Sequence, residues 1–226
     1  MSKLPKTNTG ITHQHHTMRS IFHPTTTFFC LLFSTALYPQ TASLFEQLTA
    51  ATAPQLSLTT DVSALIANKK SDTYQPGALA SSAGQTFAVE VKPRGKFRRR
   101  VSEIPPLKIK VKKKLLAEAG LTDSLNELKL VLPTSLDAAG DERVVREYLA
   151  YRLYEQLSPY AVRARLINLY LVNTDLQGQS HYQVKAILLE DEEETAARLG
   201  GEMLELFGMS ADKLPADHTA LMVMFQ

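Results

Sequence analysis

Tryptophan is absent from this chain and cysteine occurs once, at position 30. With a single thiol there is no internal disulfide, so stability has to come from an ordinary apolar core. The histidines are few and scattered: His13, His15 and His16 cluster near the start, while only His181 and His218 fall in the later part. Two histidines so far apart have no zinc-ligand spacing. Internal repeats are missing, and so is any apolar run long enough for a permanent membrane-spanning helix. The formal charge is only +2, which makes the places where charge collects more informative than the total.

The first forty or so residues read as a leader. Met18 and Arg19 precede the apolar run Phe28, Phe29, Cys30, Leu31, Leu32 and Phe33, and small residues follow at Thr41, Ala42 and Ser43. This is the layout of a cleavable signal peptide, with Met18 as a candidate start and cleavage expected near Ala42. The rival reading is a short membrane anchor. On the first reading the protein is exported, to the periplasm, the cell surface or the medium, and Cys30 leaves with the leader. Roughly 180 residues would remain, enough for one core.

Positive charge concentrates between Lys92 and Lys114, where eleven basic residues stand against Glu103 alone. Val89, Val91, Leu107, Ile109 and Val111 fall at every second position, as in two strands with one apolar face. The other face then carries Lys92, Lys108 and Lys110. Pro93, Arg94, Gly95 and Lys96 read as a turn whose glycine lets main-chain amides approach a ligand. The segment is expected to hold an anion, with Arg98, Arg99 and Arg100 as further candidates. Nucleic acid, a membrane surface, a polyphosphate nucleotide and an acidic protein all fit charge of this kind, and so does a merely solvated hairpin. Nucleic acid fits least, because Phe97 is the only interleaved aromatic and single-strand readers present several.

The remaining elements follow from periodicity and punctuation. Residues 43–84 are expected to form a strand around Leu56 and Leu58, a short helix capped by Asp61, and a loop from Asn68 to Gly84 broken by a brief strand at Ala78–Leu79. In the segment 85–226, the basic hairpin precedes a short helix ended by Gly120 and a strand over 127–132. A helix over 142–157 is capped by Asp141 and carries Val145, Tyr148, Leu149, Arg152, Leu153 and Gln156 at helical spacing. Strands over 164–172 and 181–189 form a second hairpin, and a helix begins in the acidic run 190–194. The apolar helix expected at Leu221 to Phe225 is short for its composition and suggests a fragment of a longer protein.

The run RGKFRRRVSEIPPLKIKV, followed by LNELKLVLPTSLDAAGDERVVREYLAYRLYEQLSPYAVRARLINLYLVNTDLQGQSHYQVKAILLED, resembles the CotH kinase-like proteins, secreted or spore-coat relatives of the protein-kinase fold. The resemblance covers about Val89 to Asp191 and rests on the order of loose motifs. It implies an α+β fold, an antiparallel sheet with flanking helices like the N-terminal lobe of a kinase. It also places a nucleotide-phosphate site at Arg94, Gly95, Lys108, Lys110 and Glu190, with Asp137 or Asp141 and Arg146 in the family's aspartate-to-helix segment. Glu147 is the nearest acid for steadying such a lysine, an assignment of our own. The family's catalytic and metal-binding aspartates lie beyond the matching segment. The resemblance therefore implies ATP, Mg²⁺ and a secreted or envelope protein substrate only for a chain continuing past Gln226, this stretch alone being inactive. The alternative expectation is a non-catalytic cell-envelope module whose basic hairpin binds an acidic polymer or a lipid headgroup.

Overall fold

The computed structural model describes residues 41–175, 181–203, 213, 216 and 217. Seven strands form its frame: β1 (Gln55–Thr60), β2 (Gln75–Ser81), β3 (Thr86–Pro93), β4 (Leu107–Val111), β5 (Glu127–Val131), β6 (Ala164–Asn173) and β7 (His181–Leu189). They close into a barrel in the order β1-β2-β3-β4-β5-β7-β6. Every neighbouring pair is antiparallel except β1 and β6, which run parallel with Leu58 opposite Leu171.

The kinase-lobe expectation is corrected by that closure. A kinase N-terminal lobe is an open antiparallel sheet, whereas here β1 is hydrogen-bonded on both sides and no free sheet edge is left among the described strands. Two features produce the closure. Residues 75–81, expected mostly as loop, form a full strand; Gly77 suits it because a Cβ there would lie 2.9 Å from the Thr59 carbonyl oxygen. The parallel seam is then pinned at its end. The Asn173 side-chain carbonyl accepts from the Val62 N–H at 2.9 Å, and the Thr174 N–H donates to the Thr60 carbonyl at 3.0 Å.

Alternation places one face of every strand inside. Leu56, Leu58, Leu79, Phe87, Val89, Val91, Leu107, Ile109, Val111, Leu128, Leu130, Ile167, Leu169, Leu171, Val184, Ala186 and Leu188 form one buried cluster. Leu44, Phe45 and Leu48 of α1 (Leu44–Thr49), Val62 and Leu65 of α2 (Val62–Ala67), and Leu116 of α4 (Lys113–Glu118) join it. Asp61 caps α2 as expected, accepting from the Ala64 N–H at 2.8 Å. Arg98, Arg99 and Arg100 lie in a single helical turn, α3 (Arg98–Val101).

The long helix α5 (Ala138–Leu157) begins four residues earlier than expected. Asp137, not Asp141, is its N-cap, accepting from the Gly140 N–H at 2.7 Å. Asp141 instead accepts the Lys185 N–H at 2.8 Å and ties the helix to β7. Val144, Tyr148 and Tyr151 pack with Val131, Ala164, Ile187 and Leu189 on the outer face of the barrel. The face carrying Leu149, Leu153 and Leu157 is turned to solvent. The last helix, α6 (Glu192–Arg198), is capped by Asp191. Among the described residues no helix is long and apolar enough to cross a membrane.

Gly140 sets how closely the loop before α5 can approach. A Cβ there would fall 1.9 Å from the Ser135 carbonyl oxygen. Alanine would gain about 1 kcal/mol of helix propensity and lose about 3 kcal/mol to overpacking, so Gly140→Ala is expected to destabilise by roughly 2 kcal/mol net. Urea denaturation measures it; a stabilised variant would contradict this packing.

Candidate anion site

Outside the barrel, register brings the basic side chains of three strands into rows. Lys92 lies opposite Lys108, and Lys108 opposite Lys129. In the next row Glu90 faces Lys110 and Lys110 faces Glu127. Like charges opposite each other repel, and the fold offsets this with local partners. Lys108 and Lys110 both pair with Glu127, the latter at 3.5 Å. Burial alone would disfavour the Lys108 charge, but the Glu127 hydrogen bond and charge outweigh it and hold the ammonium above the usual lysine range. Lys92 sits 4.6 Å from the centre of the Tyr74 ring. Lys129 is buried and pairs with Asp191 at 3.1 Å and with Glu192, yet desolvation pulls its pKa below the ordinary value.

The other half of the basic segment lies at a pocket of about 300 Å³ lined by Arg94, Gly95, Lys96, Phe97, Arg98, Pro106, Val131, Glu147 and Tyr151. Here β3 ends at Pro93 and the Arg94 N–H donates to the Pro106 carbonyl at 2.8 Å, fixing the turn. Gly95 takes a φ of +83°, a conformation that L side chains rarely adopt. Arg98 is committed: its guanidinium holds both Glu147 oxygens at 2.7 and 2.8 Å and the Leu132 carbonyl at 3.1 Å.

Arg94 differs from its paired neighbours Arg98 and Arg99. It is half-buried, and among the described residues it forms no salt bridge and no side-chain hydrogen bond. Desolvation pushes its pKa down, only partly offset by Tyr151 and Asp191. Burial likewise raises the Tyr151 phenol, which stays protonated and able to donate. A guanidinium, a phenol and a glycine turn thus line one concave space, and the cation there has no salt-bridge partner among the described residues.

Of the residues anticipated from sequence, Arg94 and Gly95 meet at this pocket. Lys108 and Lys110 do not line it; they lie on the convex barrel wall, paired to Glu127. Glu147 lines it but steadies Arg98, not a lysine. Arg99 pairs with Asp72 at 3.1 Å, and Arg100 lies 6.0 Å from the centre of the Phe97 ring. Arg146 pairs with Glu142 one turn away on the exposed face of α5, the ordinary use of such a spacing. The helix expected at Leu221 to Phe225 and the leader up to Gln40 lie outside the described residues.

Glu190 is elsewhere, fully buried at 0% exposure between two arginines. It accepts from the Arg163 N–H and Nε at 2.9 and 3.0 Å and from the Arg198 Nε and Nη2 at 3.0 and 3.1 Å. Despite burial, these hydrogen bonds and charges keep its pKa below the usual carboxylate value. Arg163, Arg198 and Glu194 around it were not singled out from sequence, and neither was Lys129. The one available signal was the run of acids directly after the apolar strand over 181–189, where a carboxylate is carried into the interior by its neighbours.

No protein-family model matches this chain, and a search of curated proteins likewise gives no match.

Proposed function

We propose that this chain is a non-catalytic binding module for an oxyanion carried by an acidic polymer, with Arg94 as the central contact. The observation that carries the reading is the half-buried Arg94 guanidinium without a salt bridge among the described residues, in a pocket lined by Tyr151 and the Gly95 turn. A phosphate, sulfate or carboxylate would supply the missing charge through charge-assisted hydrogen bonds. Lys96 and Arg100 beside the pocket would attract neighbouring groups along the polymer. The phosphotransferase implied by the resemblance needs Lys108 and Lys110 beside Gly95, and the pocket is built without them.

A second reading, docking on an anionic bilayer, is favoured by Phe97 and Val101, which are 66% and 54% exposed among the arginines of the same turn. Calorimetry with inorganic polyphosphate, with ATP and with anionic phospholipid vesicles separates the readings. The polymer reading expects salt-dependent binding of polyphosphate without preference for ATP. Arg94→Met should weaken it by about thirtyfold, the loss of one charged hydrogen-bond set worth roughly 2 kcal/mol. Vesicle binding abolished by Phe97→Ser, with no polyphosphate binding, would favour the bilayer. Tighter binding of ATP than of polyphosphate would return the argument to a nucleotide site.

A further inference from the structure

Helix α5 carries an apolar row that the fold leaves open to solvent. Leu149, Leu153 and Leu157 recur every four residues and are 60%, 56% and 49% exposed. At 3.6 residues per turn they form a stripe about 80° wide, on the side of the helix opposite Val144, Tyr148 and Tyr151, which pack on the barrel. A helix that faces a core presents a wider apolar face, whereas a stripe this narrow is the seam for one further helix. The row is also symmetric about Leu153. Leu149 and Leu157 stand four residues to either side, and Ala150 and Gln156, both exposed, stand three residues to either side. A surface that matches itself when turned end for end is what a two-fold contact between identical chains requires. The charges suit the same arrangement. Arg143 and Arg146 are exposed in the first half of α5, and its last turn has no basic residue. Two copies laid antiparallel bring these arginines to the negative end of the other helix's dipole.

We propose that α5 pairs antiparallel with α5 of a second copy of this chain, across a two-fold axis at Leu153. Leu149 then lies against Leu157 of the partner subunit, and Leu153 against its own counterpart. The three leucines and the half-exposed Tyr160 offer on the order of 400 Å² per copy, a patch large enough to mark an interaction surface. Two such patches with their polar rims approach the lower limit of about 1,200 Å² for a specific interface, so the dimer should be weak, with a Kd of roughly 10–100 μM. Glu147 and Tyr151, which line the Arg94 pocket, lie on another face of the helix, and the pairing leaves that pocket open.

Sedimentation equilibrium of the full chain, from about 1 to 300 μM, reads the association directly. A reversible monomer–dimer equilibrium is expected. Leu153→Glu should weaken it by about a hundredfold, because two carboxylates would meet on the axis. The same variant should keep the parent's unfolding midpoint in dilute solution, where Leu153 is already solvated. With Cys30→Ser as background, Leu153→Cys should oxidise to a covalent dimer with itself, and Leu149→Cys should cross-link to Leu157→Cys faster than either does to itself. A chain that stays monomeric over the whole range would overturn the proposal, and a lowered midpoint for Leu153→Glu in that monomer would mean that another segment of the same chain covers the stripe. A dimer left intact by Leu153→Glu would overturn it too, as would Leu149→Cys cross-linking mainly to itself, the signature of a parallel pair. None of these outcomes depends on Arg94.

Discussion

Glu190→Gln is expected to destabilise the protein by about 3–5 kcal/mol, the largest effect of any single substitution considered. The carboxylate accepts four hydrogen bonds, all from Arg163 and Arg198. Glutamine has nearly the same volume, so no cavity opens. Its amide nitrogen, however, turns N–H groups toward guanidinium donors, and two partly buried positive charges lose the negative charge between them. These arginines anchor three parts of the chain. Arg163 precedes β6, Arg198 ends α6, and Arg198 Nη2 also donates to the Ala161 carbonyl at 2.8 Å. Chemical denaturation should show the loss as a lowered midpoint at nearly unchanged slope. A change below about 1 kcal/mol would mean that the pair is solvated and only incidental to the fold.

Stability should also fall as pH rises through the weakly acidic range. The folded-state pKa of Glu194 is raised from 4.5 to about 7. A carboxyl with a raised folded pKa contributes its full stability below the unfolded value and loses it between the two values. The loss is thus confined to about pH 4.5–7 and amounts to about 3 kcal/mol, at 1.36 kcal/mol per unit. Glu46 and Glu190 act oppositely and elsewhere. Their folded pKa values are lowered, so their contribution is present above the unfolded value of about 4.5 and disappears only as pH falls below it. Unfolding free energies at pH 5 and pH 8 should therefore differ, with pH 5 the more stable. In Glu194→Gln the difference should largely vanish, and the variant should exceed the parent at pH 8. An unchanged pH profile in that variant would show that Glu194 ionises freely in the folded state.

Local structure was legible wherever a short-range rule applied. Asp61 before an apolar periodic segment, Gly120 after one, and the alternation in 107–111 and 181–189 each specify their element through neighbouring residues. The closed barrel was not legible, because it depends on β1 meeting β6 more than a hundred residues away, and parallel pairing has no turn to announce it. β2 was hidden by its own composition: Pro76 and Gly77 read as a loop, although Gly77 is there to admit the β1 backbone. Register explains the mixed outcome at the site. Alternation correctly put Lys92, Lys108 and Lys110 on one face, but it could not say that Glu127 arrives on the next strand to neutralise two of them. Arg94 and Arg98 look alike in sequence, and only the position of Glu147 on α5 makes one a structural tie and leaves the other unpaired.

That distinction also provides the decisive comparison. A residue that serves the fold loses stability when removed, whereas one that holds an uncompensated charge for a ligand does not. Arg94→Met should thus unfold no more easily than the parent in ligand-free buffer, and should lose about thirtyfold in affinity for polyphosphate, while Arg98→Met should be clearly less stable. The most direct measurement is the Arg94 side-chain Nε–H NMR resonance during titration with inorganic phosphate. The account predicts a saturable shift of that resonance together with the Gly95 amide, and neither moving in step with Lys110. A silent Arg94 resonance in a protein that still binds polyphosphate would contradict it.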